Sequence, residues 1–480
     1  MNVYVLCGLT LLLIGGCSVR QVEQDSASRS ASLHTIYIDG DGNLLDPATK
    51  DPIAKSGDAK GTHALEKQYV DAILQDFKKR KSNKPNLKLV LFVHGGLNEF
   101  EAATRRASKY TDLMLDDDLY PVFIGWDSGF MTNYWDHLVK IRKGLNRPIL
   151  GPLSSPFVLL EDVGRSLVRI PSSIFKEVTD PIVVTKSVKI KSEEDYETRA
   201  KKLESEGFSV INRGPYVGVG SDYYTVWNPV KLLAAPFVDG FGTGSWEGML
   251  RRTDLVLTKN SAFEGEAANE SKSNELDTPR FADTAVTTFL KGIETDPSLK
   301  GSEIDLIGHS MGAIVAINVL ARHGDLNIQN LVFMGAAAKV KDLENVVGPW
   351  LQLHQKAQFW NLSLDPYREM GENTFYDFAP RGSLLNWIDY TFGEVNSYKD
   401  RTAGSWWNIT RLAEDIFPEQ KGAVSLRARV HLTRFPIGDK CQWPQKHGQF
   451  DDFMFWKPSF WRAEPAGIRG EACSPYFAQE

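Results

Sequence analysis

The chain has 480 residues, a length that suggests more than one domain. Of these residues 42% are hydrophobic, 24% charged and 11% aromatic, a composition typical of globular proteins. Its 55 Lys and Arg residues against 61 Asp and Glu residues give a net charge of −6, which offers no basic field for a polyanion and excludes nucleic acid as an expected partner. Four cysteines exclude a scaffold built from disulfides, and a mean hydropathy of −0.28 argues against a membrane protein with several spans.

The first 16 residues contain no charged side chain, and their apolar run Leu9–Ile14 is too short to span a bilayer. Such a run followed by small residues is typical of a secretory signal. Ile14-Gly15-Gly16-Cys17 resembles the lipobox of bacterial lipoproteins, which implies a lipid on Cys17 and, with Ser18 after it, a place in the outer membrane facing the periplasm. The segment departs from that pattern because it lacks Lys and Arg. The alternative is an ordinary signal ending at Cys17 or a buried apolar segment.

We therefore expect residues 1–16 to be a signal peptide and residues 17–32 to be a flexible tether. Cys7 then leaves with the signal and Cys17 carries lipid. Cys441 and Cys473 remain as a candidate disulfide in an oxidising compartment, and such a bridge would stabilise the fold by about 3–4 kcal/mol. Two unpaired thiols are the alternative.

The mature chain shows alternating strand and helix patterns. Residues 33–38, followed by turn residues 39–43, predict an opening hairpin, and residues 63–81 predict an amphipathic helix. Continuous apolar runs predict buried strands, and helical patterns lie between them. The predicted strands are 87–93, 120–126, 304–307, 331–334, 359–364 and 429–435, with helices at 99–115 and 313–322. This alternation predicts an α/β protein with a doubly wound, mainly parallel sheet, formed by residues 33–129 and 281–480.

Residues 130–280 interrupt this alternation with many prolines, and we interpret them as an insertion. Two apolar stretches, 148–175 and 230–241, allow two interpretations. They form a lid that offers an apolar surface to a lipid or acyl chain, or they pack as the insertion's own core.

Gly308-His309-Ser310-Met311-Gly312 lies between a predicted buried strand and a predicted amphipathic helix. A bare Gly-x-Ser-x-Gly motif is weak, but a nucleophile elbow needs this strand, this helix and small residues around its serine. We expect the elbow to lift the Ser310 hydroxyl out of the sheet and to leave helix-start amides facing a developing oxyanion.

A second motif, His94-Gly95-Gly96-Leu97-Asn98, follows the strand at 87–93. Its glycines would present unobstructed backbone amides opposite the nucleophile. Together with Trp126-Asp127-Ser128, the two motifs resemble a bacterial branch of the α/β-hydrolase family. The resemblance covers about 87–126 and 279–456, and it implies that family's fold, a Ser-His-acid triad and ester or amide hydrolysis.

The family's chain order is nucleophile, acid, histidine. His447 follows the last predicted strand and is the expected base, while His431 lies inside that strand and is expected to pack or to face the surface. Asp365 ends the strand at 359–364 and is the expected acid, with Glu369 and Asp377 as alternatives. His309 is expected to be structural or to line the pocket, and His94 is expected to shape the oxyanion loop.

We expect Ser310 to attack a carboxylic ester, a small molecule or lipid, with oxyanion donors at Met311 and at Gly96 or Leu97. No cofactor or metal is expected, because no Cys/His ligand spacing is present. A peptidase or amidase using the same triad, and a catalytically inactive binding protein of the cell envelope, are the alternatives.

Overall fold

The computed structural model describes residues 33–47, 49–53, 59–96, 100–142, 145–147, 149–212, 229–260, 281–372, 382–393, 395–419 and 425–464. They fall into two units, each assembled from separate segments of the chain. The elbow unit takes its described residues from 24–129 and 250–332. The histidine unit takes its described residues from 130–249 and 333–480.

Within the described residues, nine strands form a mostly parallel sheet in the order β2-β1-β4-β3-β10-β11-β12-β13-β7, and two short hairpins, β5-β6 and β8-β9, lie outside it. The strands are β1 (Thr35–Ile38), β2 (Leu44–Leu45), β3 (Lys88–Val93), β4 (Leu119–Trp126), β5 (Ile141–Arg142), β6 (Leu145–Asn146), β7 (Ser209–Asn212), β8 (Thr258–Asn260), β9 (Phe281–Asp283), β10 (Ile304–His309), β11 (Ile328–Met334), β12 (Gln358–Ser363) and β13 (Val430–Arg434).

Helices alternate with the strands of this sheet, as a parallel sheet requires. They are α1 (Ala59–Asn83), α2 (Phe100–Asp116), α3 (Phe130–Val139), α4 (Leu150–Ser205), α5 (Pro229–Leu255), α6 (Ala285–Thr295), α7 (Gly312–Arg322), α8 (Val340–Asp342), α9 (Gly348–Leu353), α10 (Pro366–Gly371), α11 (Leu384–Trp387), α12 (Trp406–Ile416) and α13 (Pro458–Trp461). Single turns of 3-10 or π geometry include His447–Asp452.

In the elbow unit, β3 pairs in parallel with both β4 and β10, and β1 pairs in parallel with β4 and antiparallel with β2. The predicted opening hairpin and the α/β class with a mainly parallel sheet are confirmed. The register matches Val93 of β3 with Gly308 of β10. The segments that follow these two strands therefore leave the sheet side by side.

In the histidine unit, β12 pairs in parallel with β13, and β13 pairs in parallel with β7. Residues 130–280, which we interpret from the sequence as an insertion without clear strand-helix alternation, contribute the long helix α4 and, after it, the strand β7. Four residues at a sheet edge are too short to show a clear period in the sequence.

The two apolar stretches of residues 130–280 differ in the structure. In the second stretch Ala234 is buried, and the rings of Phe237 and Phe241 stack at 6.2 Å, so this stretch packs within its unit. In the first stretch large apolar side chains such as Leu153 and Phe157 are exposed. The first stretch therefore does not form a core of its own.

Candidate functional site

Ser310 occupies the sharp turn between β10 and α7. Its φ is +51°, in the left-handed region that side chains other than glycine rarely adopt, and the residue is buried. For a residue with a Cβ this conformation costs roughly 1–2 kcal/mol, so the surrounding packing must hold it. A strained serine between a strand and a helix is the geometry of a nucleophile elbow.

The two glycines of the motif are required by close backbone contacts. A Cβ on Gly308 would lie 2.8 Å from the backbone nitrogen of Ala313, and a Cβ on Gly312 would clash with the carbonyl oxygen of Val93. Glycine at both positions therefore lets the first turn of α7 lie directly against β3 and β10.

The loop after β3 passes against the elbow. A Cβ on Gly95 would lie 2.9 Å from Cβ of Ser310, and one on Gly96 would lie 2.5 Å from Sδ of Met311. The glycines allow the backbone of this loop to approach Ser310 closely. Leu97 and Asn98 lie outside the described residues.

His94 holds this loop against the end of β4. The backbone N–H of Trp126 donates to Nε2 of His94 at 2.9 Å, and Nδ1 lies 2.6 Å from the carbonyl oxygen of Gly95. Because a backbone N–H can only donate, Nε2 is the acceptor, and the proton of the neutral ring is on Nδ1. The imidazole also stacks on the Trp126 ring at 5.9 Å. The contacts of His94 are those of a positioning residue.

The first backbone amides of α7 lie before the helix's own hydrogen bonds begin. The first of these bonds run from the Ala313 N–H to the backbone carbonyl oxygen of Ser310 at 3.2 Å and from the Ile314 N–H to that of Met311 at 2.9 Å. The N–H of Met311 comes before them, at the positive end of the helix. Met311 and Gly96, the two predicted oxyanion donors, are thus adjacent through the contact of Gly96 with the Met311 side chain.

His447 is buried in the histidine unit, in the 3-10 turn that it begins. Its backbone N–H donates to Oε2 of Glu372 at 2.9 Å. Its ring lies against Gly335, which directly follows β11 and has φ +52°. A Cβ there would come within 2.9 Å of the imidazole Cε1. Gly335 therefore makes room for the ring.

The carboxylate beside the imidazole is that of Glu369 in α10. Nδ1 of His447 lies 3.5 Å from Oε1 of Glu369, and both side chains are buried. The hydroxyl of Ser383 donates to the same oxygen, and the side-chain amide of Asn386 donates to the Glu369 carbonyl at 2.9 Å. The carboxylate is fixed in place, at the outer limit of hydrogen-bond distance from the ring.

The charge around His447 favours its protonated form. Burial alone would lower the pKa of the imidazole, but Glu369, Glu372 and Asp451 outweigh it, and the pKa of His447 is raised above its ordinary value. Burial likewise raises the pKa of the Glu372 carboxyl. These carboxylates therefore stabilise the imidazolium form of His447.

Asp365, the acid expected from the sequence, has other partners. It is buried, forms an ion pair with Arg434 at the end of β13, and caps α10 by accepting the Tyr367 N–H at 2.9 Å. Burial raises the pKa of its carboxyl, and Arg434 opposes that rise. The geometry therefore favours Glu369, one of the two alternatives, over Asp365 as the partner of His447.

The rival histidine His431 packs within its strand. Its ring stacks on Trp360 at 3.8 Å, and Nε2 lies 2.9 Å from Oε1 of Gln358. Burial and the nearby Arg462 lower its pKa to about 4. His309, inside the elbow, is buried beside Gly95. The contacts of His431 are those of a packed residue.

Cys441 is disulfide-bonded. Its expected partner Cys473, the expected lipidation site Cys17 and the alternative acid Asp377 lie outside the described residues.

Two contributors to the His447 environment, Glu372 and Gly335, were missed by sequence reasoning. The i, i+3 spacing places Glu369 and Glu372 on one side of a helix end. This spacing is a sequence signal that could have identified Glu372.

A cavity of about 210 Å³ in the histidine unit is lined by Glu369 and by Asp389, whose pKa burial raises to about 6. Two guanidinium groups also line it. Arg401 lies 5.1 Å and Arg411 5.4 Å from the centre of the Tyr398 ring. These walls are polar and charged, which does not suit a long acyl chain.

Among the residues that the structure describes, no group of three His, Cys, Asp or Glu side chains is arranged to hold a metal ion. No protein-family model, curated protein or solved structure matches the chain. The geometry of the elbow and of the His447 environment is therefore the basis for a functional assignment.

Proposed function

We propose that this protein is a serine hydrolase of the α/β-hydrolase type that cleaves carboxylic esters. Ser310 is the nucleophile, His447 the general base and Glu369 the acid that orients it. The observation that carries the proposal is the left-handed Ser310 at the junction of β10 and α7, with the Gly95–Gly96 loop against it. A left-handed residue that carries a Cβ is uncommon, and such strain clusters at functional sites.

The order of the residues along the chain supports the pairing of Ser310 with His447. Ser310 directly follows β10, and Gly335, which contacts the His447 ring, directly follows β11. The chain order Ser310, Glu369, His447 is the nucleophile, acid, histidine order of α/β-hydrolases. Catalytic residues of α/β proteins gather at the carboxyl ends of parallel strands. We therefore propose that both side chains act on one substrate.

The proposed reaction has an acylation step and a deacylation step, and His447 transfers the proton in both. Oγ of Ser310 attacks the ester carbonyl carbon while Nε2 of His447 accepts the hydroxyl proton and then passes it to the leaving alcohol. Water, deprotonated by the same nitrogen, then releases the acid and restores the serine. Nδ1 faces Glu369, which stabilises the imidazolium. The amides of Met311 and Gly96 are the proposed oxyanion donors, each lowering the barrier by about 3–4 kcal/mol.

A panel of p-nitrophenyl esters and the matching anilides tests this assignment. We expect ester hydrolysis by the native protein, loss of activity in Ser310→Ala, and full activity in Ser302→Ala, a buried serine of the same unit that precedes β10. Hydrolysis of anilides alone would indicate an amidase. Activity that persists in Ser310→Ala would contradict the proposal.

We also propose that lipidation at Cys17 holds the chain in the bacterial cell envelope. The disulfide at Cys441 supports this location, because such bonds persist in oxidising compartments. Metabolic labelling with palmitate should mark the native chain and not Cys17→Ser. Equal labelling of both chains would contradict the proposal.

A further inference from the structure

Helix α4 has its apolar and polar sides reversed relative to a helix of a soluble protein. Its first part exposes Leu150 (61%), Leu153 (71%), Phe157 (74%), Leu160 (66%) and Leu167 (58%). Successive spacings of three, four, three and seven residues place these side chains on one face of the helix. Soluble proteins rarely leave such a continuous apolar stripe in water.

The opposite face of the same segment is polar and packs against protein. Asp162 is buried and accepts the Tyr134 hydroxyl at 3.0 Å, with Nε2 of His137 at 3.5 Å. Ser166 is buried against Gly240, and Arg169 donates to the carbonyl oxygen of Thr391 at 2.9 Å. These contacts fix the rotation of the helix, so the apolar stripe cannot turn inward.

The charge near the stripe suits an anionic surface. Residues 130–175 contain six basic and three acidic residues, while the whole chain has a net charge of −6. Four of the six basic residues fall within Lys140–Arg147, immediately before the helix. A basic cluster that directly precedes an apolar helix face in the sequence is the pattern that phospholipid surfaces with negative headgroups attract.

A second copy of the chain fits the stripe less well. Gly164 and Pro171 occupy the stripe positions before and after Leu167, and a Cβ on Gly164 would meet nothing within 4 Å. A coiled-coil pair inserts an apolar side chain from each such position into a hole of the facing helix, whereas fluid acyl chains adapt to an uneven surface.

The helix is suited to lie on a membrane and not to cross it. Within the described ranges no helix is long and apolar enough to span a bilayer. The exposed Glu161 carboxylate lies 3.6 Å from Arg165 one turn later, a charged pair in the middle of the segment. Water or headgroups must therefore remain within reach of this part of the helix.

We propose that the face of α4 formed by Leu150, Leu153, Phe157, Leu160 and Leu167 inserts into the interface of an anionic phospholipid bilayer. The apolar side chains enter the acyl boundary, and the basic cluster that precedes them contacts the headgroups. This inference is independent of the proposed hydrolase activity, because it uses none of the residues of the elbow or of the His447 environment.

Co-sedimentation with phospholipid vesicles tests the proposal, using the full chain with Cys17→Ser so that no lipid anchor contributes. We expect binding to phosphatidylcholine vesicles that contain phosphatidylglycerol, weaker binding without it, and weaker binding at high salt. The pair Leu153→Glu and Phe157→Glu should lower the partition coefficient about tenfold or more. Both side chains are exposed, so circular dichroism and the melting temperature should not change.

Leu353→Glu is the matched control, because Leu353 is 81% exposed on the separate helix α9. It should bind vesicles as the parent chain does. Absence of vesicle binding by the folded parent chain, or equal binding by the double variant, would overturn the proposal. A dimer in light scattering that the double variant abolishes, without vesicle binding by the parent, would assign the stripe to a second copy instead.

Discussion

Nδ1 of His447 lies 3.5 Å from Oε1 of Glu369, and neither side chain is open to solvent. The Glu369 carboxylate is one helical turn beyond Asp365, the strand-end residue that the sequence favours as the acid. Ser383 fixes Oε1 of Glu369 by a hydrogen bond, and Arg434 forms an ion pair with the Asp365 carboxylate. The acid of the proposed triad is thus provided by α10 and not by the end of β12.

Glu369→Gln should lower kcat by about 10³–10⁴-fold, because an uncharged amide neither fixes the imidazole tautomer nor stabilises the imidazolium. Steady-state hydrolysis of the best ester of the panel measures this change, and urea unfolding checks that the variant is folded. A variant with near-normal kcat would remove Glu369 from the triad.

Asp365→Asn should act on stability instead of catalysis. The substitution leaves the buried guanidinium of Arg434 without its counter-charge, which typically costs about 3–5 kcal/mol of unfolding free energy. At temperatures where the variant is folded, kcat should stay within a few fold of the native value. If instead Asp365→Asn kept its stability and lost all activity, the sequence-based assignment of the acid would be restored.

The pH profile of kcat/KM should report His447. The neutral imidazole is the active form, and nearby carboxylates raise its pKa, so activity should fall on acidification with a midpoint above the ordinary value of 6.5. Glu372→Gln removes one of these carboxylates and should move the midpoint to lower pH. Glu344→Gln, which removes a carboxylate paired with Lys399, is the control and should leave the midpoint unchanged.

The same raised pKa links stability to pH. His447 binds its proton more tightly in the folded than in the unfolded chain, so its contribution to stability is complete below about pH 6.5. The contribution is lost as the pH rises through the folded-state pKa. Urea unfolding of the native chain and of His447→Gln across this range should show a difference that shrinks toward high pH. A constant difference would contradict the assigned direction of the shift.

Ser310→Gly should be more stable than Ser310→Ala by about 1 kcal/mol, because glycine adopts the left-handed backbone at φ +51° without a Cβ penalty. Both variants lack the hydroxyl and should be inactive, so the comparison isolates backbone strain. Equal melting temperatures of the two variants would show that the turn is not strained.

Gly312→Ala should lower the unfolding free energy by roughly 1–3 kcal/mol, because its Cβ would clash with the Val93 carbonyl oxygen on β3. Gly324→Ala, after the same helix, should change it little, since the nearest atom to its Cβ is 3.6 Å away. Denaturant unfolding of the two variants gives the comparison. Similar losses in both would show that the elbow does not depend on close packing at Gly312.

The sharp strand-to-helix turn at Ser310 could be predicted from the sequence because its determinants are local: an apolar strand, small residues around Ser310, and an amphipathic helix. The partner of Asp365 could not, since it depends on long-range register. Pairing of Ser363 with Arg434 brings the guanidinium to Asp365, and no local pattern encodes that contact. The edge strand β7 was missed for a similar reason, because four residues gain their strand identity from pairing with β13.

The central claim, that Ser310 is the nucleophile and His447 its base, is tested most directly by a fluorophosphonate probe followed by peptide mass spectrometry. The account predicts a single adduct on the peptide that contains Ser310 in the native protein. It also predicts no adduct in Ser310→Ala, strongly slowed labelling in folded His447→Gln, and native labelling in Ser302→Ala. An adduct on another serine, or a folded native protein that the probe leaves unlabelled, would contradict the account.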